Sequence, residues 1–252
     1  MTVAPPIQRG RVRVRDLSLS YLAWGDHTKA EPLVLLHGIG GDVEGWTRLV
    51  EALTGRRPVV ALQARGHGDS DWARDADYST DAHFADLVSA LVQLGIERCA
   101  LLGFSMGGGV AMMAAAARSE VVSRCIVVDA YPAPEMTLGS RGIARAIAGL
   151  RASRWRPRID PAIAEAFRRD LDAGVTARLD LWPFWEALDR PTLLVRGEDS
   201  TVLPAALAAE MSARQPRARL AEVAGAGHGI PFSHPEQLAR LVEACLDDGL
   251  DR

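Results

Sequence analysis

Leu101-Leu102-Gly103-Phe104-Ser105-Met106-Gly107-Gly108 reads as a short buried strand, a serine with a glycine two residues to either side, and the start of an Ala-rich helix. In the G-x-S-x-G pattern the serine sits on a sharp strand-to-helix turn, and small neighbours let the two elements approach. That geometry pushes the hydroxyl into the open. A serine is a weak nucleophile unless a base activates it, so the pattern carries chemistry only if the chain supplies one.

Around this stretch, apolar runs recur at regular intervals. Leu33–Leu36, Val59–Leu62, Ala100–Leu102, Ile126–Val128 and Leu193–Val195 are continuous rather than alternating. Such runs belong to strands covered on both faces. Helical patterns fall between them, notably Asp81 to Leu94, and a C-terminal helix is expected over Pro235 to Leu246. Strands alternating with helices predict an α/β fold with a mainly parallel sheet and helices on both faces. The opening differs. Arg11-Val12-Arg13-Val14-Arg15 alternates charge with valine, as an edge strand with one wet face does, and Leu17 to Ala23 would pair with it as a hairpin.

Between Tyr131 and Arg190 no buried strand is legible. Helices are expected there over roughly Ser140–Ala152 and Pro161–Ala173. This divides the chain into a core, residues 1–130 and 191–252, and a helical cap, residues 131–190. Trp155, Trp182 and Trp185 are candidates to line a substrate pocket under that cap. The cap's arginine run between Arg141 and Arg158 reads as a solvated helix face.

Bulk properties narrow the field. With 252 residues, 48% of them hydrophobic, the chain can build one large domain. A net charge of -3 gives no basic field for nucleic acid. No apolar stretch is long enough to span a bilayer, so no membrane association is expected. Residues 1–10 lack the apolar core of a secretory signal. Cys99, Cys125 and Cys245 are odd in number and show neither metal nor redox spacing. A cytoplasmic protein without cofactor or metal is the expectation.

Three further segments bear on the serine. His37-Gly38-Ile39-Gly40-Gly41 follows a strand and can present backbone N–H groups to a developing oxyanion. The donors expected are Ile39 and Met106, and His37 is expected to fix the loop. No Gly-Lys-Ser/Thr follows, and Val43 replaces the third glycine of a dinucleotide fingerprint. Gly225-Ala226-Gly227-His228-Gly229 offers an imidazole on a second strand-end loop, suited to taking and returning a proton near neutrality. An acid should hold that imidazole in one tautomer. Asp129 and Asp199 both follow apolar strands, and position in the chain leaves both open.

Together these segments resemble the α/β-hydrolase superfamily, in its serine-nucleophile, cap-bearing branch of esterases, lactonases and perhydrolases, from about Val12 to Leu246. H-G-x-G matches residues 37–40, G-x-S-x-G matches 103–107 and G-x-G-H matches 225–228. The family's D-x-R-G-x-G-x-S is kept at Arg65, Gly66, Gly68 and Ser70, but Gln63 replaces its aspartate. Its G-x-x-D is also broken, because Ser200 stands where the acid belongs. Branches with R-G-x-x-S carry the acid after the sixth strand, and that resemblance favours Asp129 over Asp199. It implies a hydrolase cleaving an ester, thioester or lactone of a small apolar molecule through an acyl-enzyme on Ser105. Two alternatives share the scaffold: a lyase, cyclase or C–C bond hydrolase, and a non-catalytic small-ligand receptor.

Overall fold

The computed structural model describes residues 7–53, 55, 57–132, 159–163, 165 and 180–247. Eight strands form one sheet: β1 (Ile7–Val14), β2 (Leu17–Trp24), β3 (Leu33–Leu36), β4 (Val59–Leu62), β5 (Cys99–Phe104), β6 (Val122–Val128), β7 (Thr192–Gly197) and β8 (Ala218–Val223). Their spatial order is β1-β2-β4-β3-β5-β6-β7-β8. The β1–β2 and β2–β4 pairs are antiparallel; the other pairs are parallel.

Alternation along each strand divides the core in two. Val34, Leu36, Val60, Leu62, Leu101 and Val127 face a layer containing α2 (Thr80–Gln93) and α3 (Met106–Ala117). Leu33, Leu35, Val59, Ala61, Leu102 and Ile126 face the opposite layer, with α1 (Thr47–Ala52), α6 (Ile230–Ser233) and α7 (Pro235–Asp247). Each strand residue therefore loses its water, and full burial of a Leu or Val contributes about 1.5–3 kcal/mol. This explains why continuous apolar runs mark these strands. Helix α2 begins where the Ser79 side chain accepts a hydrogen bond from the Ala82 N–H. Such a cap satisfies a donor with no partner inside the helix.

Several boundaries differ from expectation: β6, for one, begins at Val122 rather than Ile126, and both ends of β1 shift. β1 begins at Ile7, four residues before the Arg/Val alternation, and ends at Val14. Arg15 leaves the strand with φ 52, in the two-residue loop before Leu17.

Most of the expected cap lies outside the described residues, including the helix at 140–152, most of that at 161–173, Trp155 and the arginine run. The described parts of that interval dock against the core. Ile159 bridges to His67, and the Asp160 N–H donates to the Gly66 carbonyl at 2.8 Å. Short helix α4 (Trp182–Glu186) packs against α3, and its Trp185 packs with Met211 of α5 (Ala205–Arg214) in the same core layer. Among the described residues, no helix is long and apolar enough to cross a membrane.

Candidate active site

The loops after β3, β5, β6, β7 and β8 supply His37–Gly41, Ser105, Asp129, Ser200 and His228. All leave the carboxyl ends of the parallel strands, where ligand sites of open α/β sheets form.

Ser105 has φ 54 and ψ -118, a conformation few L-residues adopt, and α3 starts at the next residue. The packing that holds it explains the flanking glycines. A Cβ on Gly103 would lie 2.1 Å from the Gly107 carbonyl oxygen, and one on Gly107 would lie 2.3 Å from that of Leu36. Strand, turn and helix are closer here than any side chain permits.

His228 Nδ1 lies 2.7 Å from Asp129 Oδ2, and Nε2 lies 3.1 Å from Ser105 Oγ. A carboxylate only accepts, so Nδ1 carries the proton and Nε2 is free to accept the serine's. The Phe104 ring packs against the imidazole, with centroids 4.8 Å apart. Asp129 is wholly buried and has φ 49. Besides His228 it accepts from the Gly197 N–H at 3.2 Å and from Ser200 Oγ at 2.6 Å. Three donors thus compensate the buried charge.

Of the two candidate acids, the structure brings Asp129 to His228. Asp199 is exposed, and its backbone N–H donates to the Ala226 carbonyl at 2.9 Å. Its one-residue offset from the usual acid position turns it to solvent. Ser200 occupies that position and reaches Asp129 through its hydroxyl. Sequence reasoning misses Ser200 as a working residue, although R-G-x-x-S is the signal.

Met106 follows Ser105 in the chain, and Gly38, just before Ile39, packs on the serine. A Cβ on Gly38 would lie 2.9 Å from Ser105 Cβ, so the 37–41 loop lies directly against the serine. Among the described residues, neither the Ile39 nor the Met106 N–H is spent on a hydrogen bond. Met106 also opens α3, whose twelve residues direct a positive dipole end toward the serine.

The tryptophan expectation needs correction at Trp185. Trp185 is fully buried in the core, and its Nε1–H donates to the Met211 carbonyl at 2.8 Å. The Trp182 ring lies 4.0 Å from the Arg214 guanidinium carbon, at the end of α5. Trp185 fastens α4 to the core and has no surface to offer a substrate, while Trp182 is half-buried with one ring face under the Arg214 guanidinium. Three histidines near the site are also buried. Burial pushes His37 down to about 4, and His67 and His83 down to about 3. Among the described residues, no three His, Cys, Asp or Glu side chains gather as a metal ion requires. The three cysteines are buried, and none is joined in a disulfide.

Residues 33–241 match the Alpha/beta hydrolase family. The chain is 32% identical to the sn-1-specific diacylglycerol lipase ABHD11 of Mus musculus, across 92% of this chain and 86% of the relative. It is 27% identical to a 3-hydroxybutyrate-oligomer hydrolase of Cupriavidus necator, across 88% and 90%. Among solved structures, a membrane phospholipase A, a bacterial virulence factor, superposes with TM-score 0.78 at 25% identity, covering 98% of this chain and 87% of that one. An enol-lactonase from Burkholderia xenovorans shares the fold, with TM-score 0.75 at 21% identity, covering 95% and 100%. With the family match spanning most of its length, the chain belongs to the alpha/beta hydrolase family.

Proposed function

We propose that this protein is a serine hydrolase that cleaves a carboxylic ester, thioester or lactone of a small apolar substrate. The unbroken line from Ser105 Oγ through the His228 ring to Asp129 carries the reading. Ser105 Oγ attacks the substrate carbonyl carbon while its proton passes to His228 Nε2. The carbonyl oxygen becomes an oxyanion between the N–H groups of Ile39 and Met106. The bond to the leaving oxygen or sulfur then breaks, and that atom takes the proton from Nε2. Water attacks the acyl-Ser105 ester, gives a proton to Nε2 and releases the acid, and Ser105 regains its hydrogen. Asp129 holds the imidazole in the reactive tautomer and stabilises the imidazolium. Residues 131–190 act as a cap that bounds the substrate pocket.

Two curated relatives, by name a diacylglycerol lipase and a 3-hydroxybutyrate-oligomer hydrolase, support ester substrates. The direct test is intact mass after incubation with a fluorophosphonate. A single adduct is expected on the native protein, mapping to Ser105. No adduct on folded protein refutes the reading.

Ser200 should matter to a lesser degree. A hydrogen bond to a charged group contributes about 1.5–3 kcal/mol. Ser200→Ala is expected to lower kcat/KM about 10- to 100-fold without loss of fold, read by steady-state hydrolysis of a short-chain p-nitrophenyl ester.

A further inference from the structure

The 37–43 loop poses a problem of order. Gly38, Gly40 and Gly41 make it costly to hold in one conformation, yet an oxyanion donor must be aimed to a fraction of an ångström. Gln63 stands where the family has an aspartate, is 1% exposed and meets this loop at three points. Its Oε1 accepts from the Val43 N–H at 2.9 Å. Its Nε2 donates to the Gly41 carbonyl at 3.2 Å and to His37 Nε2 at 2.8 Å.

We infer that Gln63 is a positioning residue for oxyanion stabilisation, its amide clamping the 37–43 loop so that the Ile39 N–H faces the reacting carbonyl. The inference rests on the serine-hydrolase reading. His37 completes the clamp. With Nε2 accepting from Gln63 and from the Ala64 N–H at 2.9 Å, its Nδ1–H donates to the Gly38 carbonyl at 2.7 Å. His67 Nε2 accepts from the Gly40 N–H at 3.0 Å. The loop's polar groups on either side of Ile39 are thus engaged, while the Ile39 N–H is left unspent among the described residues. Only an amide serves at position 63, because the site needs a donor toward Gly41 and His37 and an acceptor toward Val43. An aspartate is one methylene shorter and has no donor when ionised. The neighbouring turn makes room for the longer side chain: a Cβ on Gly68 would lie 2.7 Å from Gln63 Oε1.

The test compares native protein with Gln63→Met, which keeps length but no hydrogen bonds, and Gln63→Glu, which keeps the acceptor and loses the donors. Each is assayed for ester hydrolysis, for inhibition by a trifluoromethyl ketone, and for fold by near-UV circular dichroism. Loss of one oxyanion donor costs about 10²–10³ in kcat. Misaiming one is expected to lower kcat about 10- to 100-fold with KM within about two-fold, and to weaken the ketone in proportion to kcat/KM. Slower labelling of the same Ser105 by fluorophosphonate is also expected. A folded variant with native kcat and native ketone affinity overturns the inference, and Gln63→Glu decides alone if Gln63→Met does not fold. A native protein that hydrolyses no ester and takes no fluorophosphonate instead refutes the underlying reading, so the two failures are distinct.

Discussion

Ser105→Ala is expected to lower kcat by about 10⁵–10⁶, and Asp129→Asn by about 10⁴, whereas Asp199→Asn stays within about two-fold of native. The middle value follows from the crowding of donors on Asp129. The Gly197 N–H reaches one carboxylate oxygen; the Ser200 hydroxyl and His228 Nδ1 reach the other. An amide has a single acceptor oxygen, so in the Asp129→Asn variant the new NH2 group must face a donor. If it faces His228, the ring is driven to the Nε2–H tautomer and cannot take the serine's proton. If it faces Gly197, two N–H groups oppose each other in a buried site, and the turn that aims residue 129 is strained. Asp199 is exposed and free of these constraints. Hydrolysis rates and fluorophosphonate labelling rates of the three folded variants decide the matter. An Asp199→Asn loss as large as that of Asp129→Asn would refute the assignment.

The two acids show where reading a sequence stops. Leu33–Leu36 and Val59–Leu62 are legible to the residue because both faces are covered, so hydrophobicity alone marks their ends. The start of β1 is hidden, since Arg9 and Gly10 carry no alternation. What extends the strand is a cross-strand fit, the Tyr21 ring filling the space over Gly10. Ser105 and His228, which the structure brings within hydrogen-bond reach, are readable from glycine spacing, because close approach requires glycine wherever it occurs. Asp129 and Asp199 both follow apolar strands, and only the left-handed turn at Asp129 and the placement of β6 between β5 and β7 direct one carboxylate to His228. Gln63 and Ser200 register in the sequence as departures from a family pattern. Their work appears only through side-chain bonds spanning 20 and 71 positions. Trp182 and Trp185 are legible only by location in the chain, which says nothing about the direction an indole faces.

Acid should unfold this protein steeply, well before most carboxylates are neutralised. Burial is the first cause that holds His37 down to about 4, and His67 and His83 to about 3. The unfolded chain takes a proton on each near pH 6.5. A group with a depressed folded pKa that must stay neutral contributes its stability above the unfolded value. That contribution is lost as pH falls from about 6.5 toward 4 and then 3, because the unfolded state binds more protons. The bonding pattern agrees with the sign. His37 and His67 each use one ring nitrogen as an acceptor, from Ala64 and from Gly40, and protonation would break both bonds. Their rings lie 5.0 Å apart, so a charge on one opposes a charge on the other. Each histidine should cost about 2 kcal/mol between neutrality and pH 5, about 6 kcal/mol together. That is comparable with the whole stability of many domains. Urea midpoints at pH 7.5, 6.0 and 5.0 should therefore fall sharply with little change in m. His67→Gln, which can still accept from Gly40, should flatten the slope by about one proton. Stability unchanged between pH 6.5 and 4.5 would show that these imidazoles gain or lose no protons on unfolding. The neutral clamp around the 37–43 loop would then not be what acid breaks.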